Sequence, residues 1–324
     1  MFAVYIEKPD FENPLSALRI GERPMPESRD GWVSVKIQAA SLNWHDLWTM
    51  QGLGGLNGRP ETFPMILGCD GVGTLPDGSA AVIYPVLGEA DWKGDETLDP
   101  GRHVLTETVQ GTFADYALVP RRNAVALPVG LSYRAAAVLG VSWLTAYRML
   151  FTRSDLRPGQ TMLVQGASGG VATALIQLGR AAGMQVWATG RGKDKRALAE
   201  QLGAHRTFEA GESLPQPADA VFDPVGTATF PHSMASVRAG GTIVLCGAAS
   251  GIEARLDIAR VFIEQISIRG VFAGTLDEFR DLLNFVARSG IQPHIGMEMP
   301  MDRAGDGLRL MQEGTSHGKV LLMR

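Results

Sequence analysis

Apolar and polar positions follow two alternating patterns between residues 125 and 274. Short apolar runs there alternate with longer segments of helical spacing, and the runs are "TMLVQG", "QVWATG", "ADAVFDPVG", "GTIVLCGAASG" and "SIRGVF". After the first run, apolar residues recur at i, i+4, i+7 and i+11, at Val171, Leu175, Leu178 and Ala182. This spacing is typical of an amphipathic helix. Strands that alternate with such helices predict a doubly wound parallel sheet.

The two ends of the chain have a different pattern. Before residue 125, glycines and prolines separate apolar runs such as "WVSVKIQAAS", "AAVIYPV" and "GTFADYALVP", which predicts a β-rich domain. The tail has one clear helix, "LDEFRDLLNFVARSG", stopped by Gly290, and then the strand "GKVLLMR". A strand at this place suggests that the chain returns to the first domain. We therefore predict an α/β fold divided into residues 1–124, 125–274 and 275–324.

A glycine-rich turn follows the first strand of the predicted parallel sheet. Aligned with the dinucleotide fingerprint G-x-G-x-x-G, residues 167–172 keep only the central Gly169 and have alanine at both outer positions. Such a turn also joins strands to helices for packing reasons alone. The strand before it and the helix after it favour a dinucleotide site, because a helix N-terminus attracts phosphate and glycine lets it approach the backbone. The candidate phosphate-binding residues are Ser168, Gly169, Gly170 and Val171.

The second strand indicates which dinucleotide binds. An NAD site usually has an acidic residue about 20 residues after the glycine turn, where it holds the ribose 2′-hydroxyl. Here Thr189 and Arg191 occupy the exit turn, and Lys193, Lys195 and Arg196 follow. A guanidinium pairs well with a 2′-phosphate, which favours NADPH. The alternative is a solvated basic helix start, but cations are disfavoured at a helix N-terminus unless an anion binds there.

Composition narrows the class of protein. The 324-residue chain is 45% hydrophobic and has a formal net charge of −4, so it lacks the basic surface of a nucleic-acid-binding protein. No run is apolar enough to span a bilayer, and Glu7 and Lys8 interrupt the N-terminal segment where a signal peptide needs an apolar run. Two cysteines, Cys69 and Cys246, are too few for a disulfide framework. We expect a globular cytoplasmic protein with neither nucleic-acid nor membrane partners.

Several motifs together resemble the medium-chain dehydrogenase/reductase superfamily, and within it the zinc-free quinone oxidoreductase branch. They are "SLNWHDLWTMQG", "MILGCDGVG", "GTFADYALVP", "LGVSWLTAYRML", "LVQGASGGVATA", "DPVGTATF" and "GTIVLCGAASG". The resemblance implies a GroES-like catalytic domain built from both chain ends and a Rossmann domain between them. It also implies NADPH as cofactor and a homodimer joined through the Rossmann sheets.

The resemblance also implies that catalytic zinc is absent. Zinc-dependent relatives carry ligands at positions that correspond in this chain to Asn43, to Cys69 in "GCD", and to a residue near Val141. Only Cys69 could bind a metal, and we interpret it as a buried apolar side chain. A weak site of Cys69, His45 and an aspartate is the alternative. The lobe that holds structural zinc in relatives, around residues 88–107, contains no cysteine.

Two residues are candidates for the chemistry itself. Asn43, in the family position that faces nicotinamide, is the first candidate for stabilising charge on the substrate oxygen, although its side chain could simply cap the next turn. His45 could donate a proton, or it could be a surface histidine. We expect Asp46 to fix the loop, and Trp44 and Trp48 could line a substrate pocket. Residues 51–64 contain no tyrosine acid, and their glycines suggest a mobile flap.

Further cofactor contacts follow from the resemblance, because the carboxyl ends of parallel strands meet where such sheets bind cofactors. The residues that match are Thr145, Cys246, Gly247, Ala248, Phe272, Ala273, Gly274 and Lys319. Phe208 lies where some relatives place a tyrosine against the adenosine phosphate.

These observations together predict an NADPH-dependent reductase of quinones or conjugated carbonyls that acts on a small electrophilic substrate. One alternative is a zinc alcohol dehydrogenase, which the missing ligands count against. The other is a non-catalytic NADPH-binding protein, as the crystallin relatives of the branch suggest.

Overall fold

A computed structural model describes residues 1–53 and 62–324 of the chain. The chain forms two compact units, of which one comprises Met1–Ser142 with Gly274–Arg324 and the other Trp143–Ala273. The tail therefore packs with the N-terminal part of the chain. The first observed division follows Ser142, whereas the sequence pattern placed it after residue 124.

The described residues form both strands and α-helices. The strands are β1 (Phe2–Ile6), β2 (Leu18–Glu22), β3 (Trp32–Ser41), β4 (Met65–Ile66), β5 (Gly71–Thr74), β6 (Ala80–Ile83), β7 (Val86–Leu87), β8 (His103–Val104), β9 (Tyr116–Pro120), β10 (Ala124–Ala126), β11 (Thr161–Val164), β12 (Gln185–Gly190), β13 (Arg206–Glu209), β14 (Ala218–Asp223), β15 (Val237–Leu245), β16 (Ser267–Gly270), β17 (Ile295–Pro300) and β18 (Lys319–Met323). The α-helices are α1 (Trp44–Gln51), α2 (Tyr133–Ala136), α3 (Leu144–Tyr147), α4 (Gly170–Ala181), α5 (Lys193–Gln201), α6 (Phe230–Ser236), α7 (Ile258–Ile263), α8 (Leu276–Ser289) and α9 (Ala304–Gln312).

The unit formed by Trp143–Ala273 is built on a parallel sheet. Its described strands lie in the order β13-β12-β11-β14-β15-β16, and every neighbouring pair is parallel. The order reverses between β11 and β14, and this switch point is where doubly wound sheets bind dinucleotides. The apolar runs of the sequence form these strands because both sheet faces are covered by helices.

The other unit is built mainly on an antiparallel sheet. Its described strands run β10-β6-β5-β3-β18-β17, with β9 also pairing with β3, while β2-β1-β4 form a second sheet. Strand β18, from the end of the chain, pairs with the end of β3, so that Leu321 faces Ser41. This pairing brings the start of the last strand beside the segment that precedes α1. Val35, Ile37, Leu67, Phe113 and Leu322 belong to the apolar core of this unit.

Several elements differ from the sequence-based expectation. Strand β12 continues through Gly190, so Thr189 lies in the strand rather than in its exit turn. The sequence pattern missed β13, β17 and α9, which are short or carry few apolar residues. The predicted flap at residues 51–64 lies largely outside the described residues. Within the described part of the chain, no helix is long and apolar enough to cross a bilayer.

Candidate active site

A short segment between β3 and α1 carries the first candidate residue. Asn43 is the last residue before α1, and its backbone N–H donates to Asp46 Oδ2 at 2.8 Å. The other oxygen of Asp46 accepts the Gly68 N–H at 3.1 Å. Asp46 therefore ties the start of the helix to the segment that carries Cys69 and Asp70, as the sequence analysis expected of a loop-fixing residue.

The amide of Asn43 has a partner at each polar atom. Its Nδ2 donates to the Ser41 carbonyl at 3.1 Å and to Asp70 Oδ2 at 3.0 Å. Its Oδ1 accepts from Lys319 Nζ at 2.6 Å and from Ser142 Oγ at 3.2 Å. An amide nitrogen carries two hydrogens, and both are used here. In this arrangement Asn43 is therefore the centre of a buried network, and its donation to a substrate oxygen stays a prediction.

Lys319 supplies the positive charge of this network. Its Nζ donates to the Leu42 carbonyl at 2.7 Å as well as to Asn43, and lies 3.8 Å from Asp70 Oδ2. The side chain is 2% exposed. In this arrangement the ammonium group is buried among oxygens of its own unit, and the cofactor-binding role expected for Lys319 stays a prediction. We call Asn43, Asp70 and Lys319 the buried polar triad.

Burial dominates the electrostatics around the triad. It lowers the pKa of Lys319 and raises that of Asp70, while the charge of each group partly offsets the shift in the other. Burial, opposed by the Asn43 N–H and reinforced by the charge of Asp70, raises the pKa of Asp46 to about 7. The Lys319 ammonium therefore stabilises two buried carboxylates.

The residues around the triad do not fit a catalytic zinc ion. The Asn43 oxygen already accepts an ammonium, and a second cation there would meet the charge of Lys319. The Cys69 thiol donates to the Leu105 carbonyl at 3.3 Å, and burial raises its pKa well above the usual value. In the described part of the chain, no group of three or more His, Cys, Asp or Glu side chains could hold a metal ion.

His45, the second candidate, is half-buried near the start of α1. Its side chain is 13% exposed, and Nε2 is buried without a hydrogen-bond partner. The carboxylate oxygen Oε1 of Glu107 lies 3.8 Å from this nitrogen. Burial lowers the pKa of His45, and the charge of Glu107 partly opposes this shift. Glu107 lies 62 positions away along the chain, and no sequence motif links it to His45.

The two tryptophans of α1 differ in exposure. Trp44 is exposed, and Trp48 is half-buried. Their assignment to a substrate pocket stays a prediction.

The start of α4 fits a dinucleotide phosphate. Gly169 caps the helix, is exposed, and a Cβ added to it would meet no protein atom within 4 Å. No side chain caps the helix through Gly169, and Gly170 and Val171 remain partly exposed. Ser168 is buried beside them. This open helix N-terminus is the arrangement that binds pyrophosphate.

The carboxyl end of β12 presents charges of both signs. Arg191 is exposed and has no ion-pair or hydrogen-bond partner in the described part of the chain, and Lys195 lies half-buried nearby in α5. Glu209, at the end of β13, pairs with Arg196 and accepts the Gly192 N–H at 3.3 Å. Glu209 is not among the residues predicted from the sequence, because the apolar pattern does not predict β13.

Two neighbouring candidates face the protein instead. The Thr189 hydroxyl donates to Gln165 Oε1 at 2.8 Å and accepts the Gly166 N–H at 3.2 Å. The Phe208 ring is buried in the core of the parallel-sheet unit, with its centroid 5.5 Å from that of Trp187. The expected contact of Phe208 with the adenosine phosphate is therefore corrected, because its ring packs against apolar side chains.

The remaining candidates lie at or near strand ends. Cys246, Gly247 and Ala248 follow β15, and Gly247 is required by packing, because a Cβ there would lie 2.1 Å from the Pro224 carbonyl oxygen. Thr145 is buried in α3, and Phe272 and Ala273 follow β16. The Gly274 carbonyl accepts a hydrogen bond from the Tyr84 hydroxyl at 2.8 Å.

Comparison with known proteins identifies the family. A family model described as zinc-binding dehydrogenase matches residues 170–288, and one described as alcohol dehydrogenase GroES-like domain matches residues 29–129. A zinc-type alcohol dehydrogenase-like protein of Schizosaccharomyces pombe is 30% identical over 324 aligned residues, which cover 90% of each chain. The chain belongs to the medium-chain dehydrogenase/reductase superfamily. Zinc in the description of the matching family applies to that family, since this chain's own residues at the site do not fit the metal.

Other members of the superfamily support the same assignment. Quinone oxidoreductase of Rattus norvegicus is 26% identical over 317 residues, covering 93% of this chain and 91% of the relative. A solved NAD-dependent alcohol dehydrogenase superposes with a TM-score of 0.91 at 31% identity, covering 100% of both chains. The predicted superfamily and fold class, a GroES-like β-rich domain with a Rossmann domain, are confirmed. The chain is an oxidoreductase of this superfamily that uses a nicotinamide dinucleotide.

Proposed function

We propose that this protein is a zinc-independent, NADPH-dependent reductase of quinones or conjugated carbonyls such as enones and 2-alkenals. The observation that carries the proposal is the buried polar triad. Lys319 is bonded to Asn43 where zinc-dependent relatives have a metal ligand, so the site holds an ammonium group with no open coordination position.

Without zinc as a Lewis acid, the protein can reduce only substrates whose product anion needs little stabilisation. Bound NADPH supplies a hydride, and the acceptor then carries the negative charge. A saturated ketone would become an alkoxide, which zinc stabilises in metal-dependent enzymes. A quinone becomes a phenolate, whose conjugate acid has a pKa near about 10, and an enone becomes a delocalised enolate. Hydrogen bonds and a later proton are sufficient for these anions, so quinones are expected to react best and simple ketones hardly at all.

The preference for NADPH rests on the carboxyl end of β12. Arg191 is an exposed guanidinium with no protein partner in the described ranges, which leaves its paired donors available to a 2′-phosphate. Glu209 acts against this preference because it already neutralises Arg196. We propose that Arg191 and Lys195 bind the 2′-phosphate and that the open start of α4 binds the pyrophosphate.

We further propose a homodimer, with the parallel-sheet unit at the interface. The segment before α7 and the helix itself expose the apolar side chains of Ile252, Leu256, Ile258, Phe262 and Ile263. They precede β16, the last strand in the order of the described sheet. Apolar surface beside a sheet edge favours association with another chain. The two cysteines are free thiols, which is consistent with the cytoplasmic location that we also propose.

The proposed activity is tested by following NADPH oxidation with a panel of ortho- and para-quinones, enones, 2-alkenals, ketones and alcohols. We expect turnover with quinones first, conjugated carbonyls next, and no significant reaction of simple ketones or alcohols. Efficient oxidation of a secondary alcohol without quinone or enone turnover would show an alcohol dehydrogenase instead. Tight NADPH binding without turnover of any acceptor would show a non-catalytic binding protein.

A further inference from the structure

The His45 side chain is mostly buried, and one of its ring nitrogens lacks a hydrogen-bond partner. This nitrogen is Nε2, which is itself buried. The side chain as a whole is 13% exposed. A buried unpaired nitrogen is unfavourable, so its position calls for an explanation. The acidic group facing it is the carboxylate of Glu107, whose Oε1 lies 3.8 Å from Nε2, which is longer than a hydrogen bond.

Glu107 is held in place by an unusual backbone. The preceding residue, Thr106, has φ of +77°, a conformation that a β-branched residue rarely adopts. The Thr106 hydroxyl lies 3.0 Å from that of Thr49 on α1, so the turn is fastened to the helix that carries His45. Glu107 Oε2 accepts the Val104 N–H at 2.9 Å, which leaves Oε1 on the side of His45. Strained residues of this kind persist where the surrounding structure holds them, often at functional sites.

Other titratable groups also lie around His45 in the described part of the chain. Asp46 follows His45 on the same helix, and the Cys69 thiol of the neighbouring segment faces both Asp46 and Glu107. The positive charge of Lys319 lowers the pKa of Asp46 and partly offsets the effect of burial. Glu107 is the one charged group that acts appreciably on His45 among the described residues, and its effect opposes the loss of the imidazolium by burial.

We propose that His45, oriented by Glu107, is the proton donor for conjugated carbonyl acceptors, and that the pair separates these acceptors from quinones. The inference rests on the proposed reductase function and assigns the proton source that the function requires. In this proposal Glu107 accepts Nε2–H, and the geometry of the imidazolium ring then directs Nδ1–H away from Glu107. Glu107 is a positioning residue, and His45 is the catalytic one.

The proton transfer balances without any further reactant. The hydride adds to the β-carbon of the enone, the C=C π electrons move onto the carbonyl oxygen, and an enolate forms. His45 gives its Nδ1 proton to the α-carbon, the N–H bonding electrons stay on nitrogen, and the ring becomes neutral with Nε2–H toward Glu107. Water then returns a proton to Nδ1. The organic product is the saturated carbonyl compound, and the cofactor leaves as NADP⁺.

Reduction of a quinone depends far less on the pair of His45 and Glu107. Its reduced form is an aromatic phenolate that takes its proton on oxygen, and water supplies that proton quickly. An enolate must be protonated on carbon, which is slower and benefits from a positioned acid. General acid catalysis of this kind typically contributes about 10²–10⁴-fold in rate. The protein therefore needs His45 for enones and hardly needs it for quinones.

The proposal is tested with the full chain carrying His45→Asn or Glu107→Gln, using a cyclic enone and a para-quinone as the two acceptors. The matched controls are His317→Asn and Glu313→Gln, which change the same residue types at exposed positions of the same unit. We expect His45→Asn to lower kcat for the enone about 100-fold or more and kcat for the quinone less than about threefold, without a comparable change in KM. Both controls should leave both reactions unchanged.

The pH profile gives a readout that a structural role would not change. For the wild type, kcat with the enone should fall as pH rises through the pKa of His45. Above this pKa the ring has lost its Nδ1 proton and can no longer act as the acid. The charge of Glu107 raises that pKa, so Glu107→Gln should shift the midpoint to lower pH. The same shift should appear in the ¹⁵N NMR titration of His45 without any substrate. An unshifted midpoint, or an equal loss of enone and quinone turnover in a folded His45→Asn protein, would overturn the proposal.

The two proposals fail in different ways. If the wild type reduces neither acceptor, the proposed reductase function is wrong, whatever the titration of His45 shows. If the wild type reduces both acceptors and His45→Asn reduces the enone at the wild-type rate, only the donor assignment is wrong. Should His45→Asn fail to fold, Glu107→Gln and the titration still decide the question.

Discussion

A single buried lysine determines much of the chemistry around Asn43. Its ammonium group bonds Asn43 Oδ1, so the amide nitrogen must point to the Ser41 carbonyl and to Asp70. In this arrangement Asn43 holds Lys319 and Asp70 in place. The same bonds leave neither a free amide hydrogen nor a free coordinating oxygen in this arrangement.

Replacing Lys319 tests how strongly the triad depends on its charge. Lys319→Met keeps most of the side-chain volume but leaves two buried carboxylates without their cation, and breaking such a buried pair typically destabilises by about 3–5 kcal/mol. Urea unfolding of Lys319→Met measures this, with the exposed Lys36→Met on β3 as the control. A loss below about 1 kcal/mol would show that the triad is not held by this charge.

Metal content tests the same residues independently. Because Lys319 occupies the coordinating oxygen of Asn43, purified protein is expected to contain no stoichiometric zinc, and chelators should leave its activity unchanged. Elemental analysis before and after treatment with a chelator measures both. One zinc ion per chain, lost together with activity, would contradict the site geometry described above.

Arg191 and Glu209 should act in opposite directions on cofactor choice. We expect NADPH to bind more than tenfold more tightly than NADH, a difference of about 1.4 kcal/mol. Arg191→Asp should abolish or invert this preference, and Glu209→Gln should strengthen it, because it frees Arg196 and removes a charge that repels the 2′-phosphate. Fluorescence titration with both cofactors measures this, and exposed Arg157→Asp is the control. Equal binding of both cofactors by the wild type would remove the basis for the assignment.

At the scale of secondary-structure elements, the start of α4 contains a glycine that the protein's own packing does not require. Gly169 has φ of −75°, which any residue adopts, and open space where a Cβ would project. Gly247, after β15, is the opposite case, because the Pro224 carbonyl excludes any Cβ there. The contrast shows that packing requires the glycine at position 247 but not the one at position 169.

Gly169→Ala separates these two reasons for a glycine. We expect it to weaken both NADPH and NADH about tenfold or more, because the methyl group enters the space that the pyrophosphate needs, while stability falls by less than about 1 kcal/mol. Gly247→Ala should instead destabilise the fold itself. Calorimetric binding and thermal unfolding of both variants measure the difference. Wild-type affinity of Gly169→Ala for both cofactors would argue against phosphate binding at α4.

At the scale of the whole molecule, the apolar surface of α7 is the feature that a monomer does not explain. Ile258, Phe262 and Ile263 are 70%, 67% and 68% exposed on this one short helix. Scattered apolar residues are ordinary on a protein surface, but a contiguous group is typical of an interface.

Association is therefore expected to depend on this helix. The wild type should elute as a dimer in size-exclusion chromatography with light scattering, and Phe262→Glu should shift it toward monomer, because a charge would be buried at the interface. Phe11→Glu changes an equally exposed phenylalanine in the other unit and should leave the dimer intact. A monomeric wild type at micromolar concentration would rule out the proposed dimer.

The sequence by itself predicted the fold class and most of the parallel sheet. The apolar runs and helical spacings between residues 161 and 270 predicted most strands of the parallel sheet, because strands buried on both faces must be continuously apolar. Helix α8 was predicted down to its stop at Gly290, which adopts the left-handed conformation expected of a terminating glycine. The short strand β13 was not predicted because its exposed and charged residues leave no apolar run.

Only the tertiary structure decided which side chains meet. Lys319 and Asn43 are separated by 276 positions, and no local pattern predicts their bond; it exists because β18 pairs with the end of β3. No local pattern predicts that Glu107 lies beside His45. Nor does a local pattern predict that the Phe208 ring packs in the core instead of contacting a phosphate. Local spacing determines which face of an element is buried, because that face follows from backbone periodicity. The partners of a buried charge depend on chain segments brought together by folding, and these segments are distant in sequence.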